Sequence, residues 1–118
     1  MFDLADIQNA KKKLSEKRND NSGESLDKGI EMLEAYKEDP DIDKLDQAGK
    51  LFIEALQFNR NSSEALIYLS YVFYALDNLD MALKYFKMLE DLEENLPAEF
   101  IKYKQTIIQK LDKVQNYV

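Results

Sequence analysis

Cysteine and histidine are both absent from the 118 residues of this chain. Their absence excludes disulfides, thiolate nucleophiles, imidazole bases and the common zinc sites. Glycine occurs three times and proline twice, so few breakers interrupt long helices. The glycines Gly23, Gly29 and Gly49 are too scattered to build a phosphate-cradling loop. β-branched residues are sparse outside short stretches, which favours helix over strand. Met1-Phe2-Asp3-Leu4 is not a basic segment followed by an apolar run, so no signal peptide is expected. The longest apolar-rich stretch, Ala65 to Leu76, is about a dozen residues and too short to span a bilayer. The expectation is a cytoplasmic chain with no membrane insertion, no cofactor and no metal.

What is present is apolar residue and negative charge. Hydrophobic residues make up 45% of the chain, enough for a core, and the formal net charge is −7. Acidic residues concentrate between Glu24 and Asp46 and again over Glu90–Glu94. Such a surface repels phosphate, so no nucleic-acid partner is expected. The basic cluster Lys11-Lys12-Lys13 with Lys17 and Arg18 is diluted by Asp3, Asp6 and Glu16 and reads as a solvated helix face.

Apolar spacing predicts six helices, over 3–18, 24–38, 42–58, 63–76, 79–92 and 97–116. The first has a thin stripe, Leu4, Ile7, Ala10 and Leu14, with Asp3 as its cap, and must dock on the rest to be stable. The run 19–23 reads as a loop, which divides an N-terminal helix and loop (1–23) from a helical domain (24–118). Leu26, Ile30, Leu33 and Tyr36 mark the second helix, and Asp39-Pro40 stops it. The third buries Leu45, Ala48, Phe52 and Ala55. The fourth, capped by Ser62 or Ser63, carries Leu66, Leu69, Phe73 and Leu76. Asp77-Asn78 forms a turn in which a left-handed backbone is tolerated without glycine. The fifth helix carries Leu79, Ala82, Leu83, Phe86 and Leu89. The sixth starts at Pro97 and shows Phe100, Tyr103, Ile107, Leu111 and Val114.

Shifted by 34 residues, the sequence matches itself. Leu45 falls on Leu79, Asp46 on Asp80, Ala48 on Ala82, Lys50 on Lys84 and Phe52 on Phe86. Leu66, Leu69 and Phe73 fall on Phe100, Tyr103 and Ile107. Through these residues the chain resembles the tetratricopeptide-repeat (TPR) family, with about two repeats and a C-terminal capping helix. The best unit is Ser63–Asn95, in which Ala82 takes the small position where two helices cross closely. Leu69-Ser70 takes the usual Leu-Gly pair. Leu66 for an aromatic, Leu89 for an alanine, and Arg60 or Glu94 for a closing proline depart from the family pattern. The resemblance implies an all-α fold of antiparallel hairpins stacked as a short right-handed α-solenoid. It also implies a concave groove lined by the first helix of each hairpin. The family's carboxylate-clamp positions correspond here to Leu33, Lys37, Tyr68, Ala98 and Lys102, and the clamp's asparagine is missing.

No catalytic constellation emerges. Asp39, Asp41, Asp43, Glu93 and Glu94 stand in turns, where carboxylates are solvated rather than held in a dry pocket. Asp39–Asp43 lacks the central glycine and the correctly spaced glutamate of a calcium loop.

The fourth helix is apolar on more than its core stripe. Tyr68, Tyr71 and Ala75 form a second row, flanked by Ile67 and Tyr74. By the resemblance this row faces the groove. The expected site is therefore protein-binding: Tyr68, Tyr71 and Tyr74 with Ile67 and Ala75 as floor, and Lys37 and Lys102 at the rim. The competing reading covers the tyrosines with the first helix or the C-terminal tail. Two functions follow: a non-catalytic adaptor or scaffold that holds a partner's peptide or helix, or a structural subunit forming a homo-oligomer through the same surface.

Overall fold

The computed structural model describes residues 4–10 and 23–115. These form α1 (Leu4–Ala10), α2 (Gly23–Glu38), α3 (Ile42–Phe58), α4 (Ser63–Ala75), α5 (Leu79–Leu92) and α6 (Ala98–Gln115), with no strand among the described residues. From α2 onward each boundary lies within one residue of the sequence expectation. The predicted stretch of the first helix beyond Ala10, its Asp3 cap, the basic cluster at 11–18 and the loop at 19–22 lie outside the described residues.

Local chemistry sets the helix ends. The Asp41 carboxylate accepts from the Asp43 amide at 3.0 Å and opens α3. The Ser62 hydroxyl accepts from the Ala65 amide at 3.2 Å and opens α4. At the end of α4 the Asn78 amide donates to the Phe73 carbonyl at 2.8 Å and the Asp77 amide to the Tyr74 carbonyl at 3.0 Å. This paired closure places Asp77 in the left-handed region, with φ 61°. Asn78 then caps α5 by accepting from the Met81 amide.

Successive helices from α2 run antiparallel, as their cross-helix pairs show. Gly29 meets Phe52, Phe52 stacks on Tyr68, the Ser63 hydroxyl donates to Glu93, and Lys104 pairs with Glu90. In the first three pairs the partners stand at similar distances on either side of the connecting turn, as antiparallel neighbours do. Of the predicted stripe positions, Leu26, Leu33, Leu45, Ala48, Phe52, Ala55, Leu66, Leu69, Leu79, Ala82, Phe86, Leu89, Phe100, Tyr103 and Ile107 are buried, while Ile30, Tyr36, Phe73, Leu76, Leu83 and Leu111 are half-buried against them.

The short helix α1 packs differently. It lies against α4 and α6, and the Gln8 amide Nε2 donates to Glu34 of α2 at 3.2 Å. It therefore crosses alternate members of the series. Leu4 and Ile7 are buried in the same core cluster as the other helices. No helix among the described residues is long and apolar enough to cross a membrane.

Candidate binding cleft

Helix α4 is enclosed on three sides, which decides what its aromatic residues can do. Toward α3, Tyr68 stacks on Phe52 with ring centroids 5.4 Å apart and planes 10° from parallel. Toward α5, Phe73 stacks on Tyr85 at 5.6 Å, and the Ser70 hydroxyl donates to the Ala82 carbonyl at 2.7 Å. Toward α6, Tyr74 meets Tyr103 edge-on at 5.5 Å, and the Lys110 ammonium sits 4.4 Å above the Tyr74 ring.

This arrangement corrects part of the sequence expectation. Ile67 and Tyr68 are fully buried, each at 0% exposure, and cannot offer a floor or a ring to a partner. Periodicity alone places Tyr68 on a second stripe, beside the core stripe of Leu66, Leu69, Phe73 and Leu76. A sandwiched helix needs core residues on several faces, and Tyr68 supplies the one toward α3. Ala75 and Tyr74 are half-buried. Lys102 is exposed on α6 and lines neither cleft described below.

Tyr71 and Lys37, by contrast, are brought together. With Leu4, Leu33, Tyr36 and Pro40 they line a cavity of about 160 Å³ at the edge of α1. Its walls come from α1, α2, the α2–α3 turn and α4. The Tyr71 ring lies 6.4 Å from that of Tyr74, with planes 31° apart. A wider cleft of about 520 Å³ adjoins this cavity, sharing Leu4 and Lys37 and continuing along Gln8, Ala35, Glu31, Glu34 and Glu38. None of these glutamates forms an ion pair with a described residue.

Tyr36 and Pro40 were legible only as core and helix-stop residues of α2, and Leu33 as a core residue that also falls on a clamp position of the family. Their second role appears because α1 docks beside them, a contact between segments distant in the chain. The cleft offers apolar area, phenol rings, an ammonium and carboxylates, which suit the gripping of side chains. Among the described residues no group of acidic side chains is arranged to hold a metal. No family model, curated protein or solved structure matches the chain.

Proposed function

We propose that this chain is a non-catalytic protein-binding module of tetratricopeptide type, and that the cleft bordered by α1, α2 and Tyr71 is where a partner's peptide or helix docks. The observation that carries the reading is the seat of α1. A helix of seven residues, burying Leu4 and Ile7, lies across α2, α4 and α6. On the tetratricopeptide reading those alternate helices line the concave face of a short right-handed solenoid, supported by the 34-residue period. The face thus accommodates a short amphipathic helix from its own chain, and the Tyr71 cavity opens at its edge. A half-buried tyrosine beside an apolar cavity is the type of anchor in which interface energy concentrates. An adaptor or scaffold in the cytoplasm is the biological form of this reading.

The test is site-specific photocross-linking in cells, with a photoreactive phenylalanine analogue placed at Tyr71 or, separately, at Lys102. Protein adducts at Tyr71 and few at Lys102 support the module. No adduct at Tyr71, or equal labelling at both positions, overturns it.

Self-association is the second reading. Ile101 and Ile108, two turns apart on α6, are 48% and 38% exposed on one flank of the helix. Adducts at Lys102, beside Ile101, that carry only a second copy of the chain would select this reading.

A further inference from the structure

The two adjoining cavities differ in chemistry, and that difference specifies what would fill them. The smaller, of about 160 Å³, is lined by the apolar Leu4, Leu33 and Pro40 with Tyr36, Tyr71 and Lys37. It is well below the ~300–1,000 Å³ of a typical small-molecule site and suits one large apolar side chain. The larger is bordered by Glu31, Glu34 and Glu38, which recur along one flank of α2 and span about 10 Å at ~1.5 Å per residue. Each of the three is exposed and without an ion pair among the described residues. Among the described residues Lys37 is the only cationic side chain lining either cavity, beside three carboxylates. The chain as a whole carries the same sign, with a formal net charge of −7.

We infer that the cleft takes a basic segment of a partner protein, with one large apolar side chain seated beside Tyr71 and lysines or arginines lying over Glu31, Glu34 and Glu38. The inference rests on the binding reading above and adds the chemistry of the partner. Complementary charge accelerates encounter and rejects partners of the wrong sign. Nucleic acid and acidic peptides are repelled by this flank. A second copy brings another −7 and is disfavoured as the occupant for the same reason.

The experiment uses three fluorescein-labelled nonapeptides that share a central leucine and differ in its flanks: three lysines, three glutamines or three glutamates. Binding is read by fluorescence anisotropy at about 50 and about 300 mM salt. The proteins are the full chain and its E31Q/E34Q/E38Q variant, whose substitutions are exposed and helix-compatible. The expected result is binding of the lysine peptide about tenfold or more tighter than the glutamine peptide. That preference shrinks at the higher salt and disappears in the triple variant. If the glutamine or glutamate peptide binds the full chain as tightly as the lysine peptide, the charge inference is overturned and the binding cleft stands. If the lysine preference survives intact in the triple variant, the inference is overturned, because the selecting charge lies elsewhere. If no peptide binds, the inference and the binding reading fall together.

Discussion

The hydroxyls of Ser70 and Tyr103 stand 2.8 Å apart in the buried centre of the molecule, and the Ser70 hydroxyl also reaches the Ala82 carbonyl at 2.7 Å. Serine has a single hydroxyl proton. That proton goes to Ala82, so Tyr103 donates to Ser70. One small side chain thus joins α4, α5 and α6 through a relay of two hydrogen bonds. Ser70→Ala removes both at once from a buried site and is expected to cost about 1–3 kcal/mol. Tyr103→Phe leaves the Ser70–Ala82 bond in place and should cost less, about 0.5–1.5 kcal/mol. Urea denaturation of both variants checks the order.

The same pair predicts a pH dependence. Burial pushes the Tyr103 pKa above its ordinary value, and the Ser70 hydrogen bond only partly opposes the shift. The folded chain therefore holds this proton more tightly than the unfolded chain does. The resulting stabilisation is complete below the unfolded pKa of about 10 and is lost as pH rises above it. Melting temperatures measured from about pH 8 to about pH 11 should fall more steeply for wild type than for Tyr103→Phe.

Two helical glycines should respond in opposite ways to alanine. A Cβ built on Gly29 would lie 2.6 Å from Cε1 of Phe52, whose ring is fully buried and stacked on Tyr68. Gly29→Ala should overpack this crossing by about 1–3 kcal/mol, outweighing the roughly 1 kcal/mol gained in helix propensity. A Cβ on Gly49 would meet Val72 at 3.4 Å, an ordinary contact. Gly49→Ala should therefore be neutral or stabilise by up to about 1 kcal/mol. Denaturation midpoints for the two variants should move in opposite directions or differ by more than the expected gain.

Phe86 and Ala82 test the core of the second hairpin. Both are fully buried. Phe86→Ala should cost about 3–5 kcal/mol, and Ala82→Leu about 1–3 kcal/mol by overpacking. Wild-type stability in both, measured by chemical denaturation, would contradict the packing described for α4 and α5.

The helices were legible because each carries its apolar residues at one spacing and ends in residues that cap or break. Ser62, Asp77 and Pro97 could be read without any partner. The Gly29–Phe52 crossing could not, because a glycine inside a helical pattern looks the same whether or not a ring presses on it. Of the residues expected to line a groove, two meet at the candidate cleft and two are buried in the core. Tyr71 and Lys37 line one cavity, while Ile67 and Tyr68 belong to the core. Periodicity counts the faces of α4 that are apolar. It does not say which neighbour covers each face, and that depends on contacts between segments far apart in the chain. The acidic flank of α2 was visible as composition and acquired meaning only where α1 lies beside it.

Helix α1 supplies Leu4 to the wall of the cleft. Ile7 is fully buried, and Ile7→Ala should weaken the seat of α1 by about 2–5 kcal/mol. Amide hydrogen exchange should quicken in α1 while α3 and α5 keep their protection, and cross-linking through Tyr71 should fall as Leu4 leaves the cavity wall. Uniform loss of protection would instead make α1 an indispensable part of the core.

The most direct test of the binding role is the affinity of the protein cross-linked through Tyr71 for wild type and for Tyr71→Ala, with circular dichroism recorded on both. Tyr71 is half-buried at the cavity's wall, so truncation should preserve helical content. The account predicts a loss of about thirtyfold in affinity, equivalent to about 2 kcal/mol, with an unchanged spectrum. Equal affinity, or a loss that appears only together with melted helix, would contradict it.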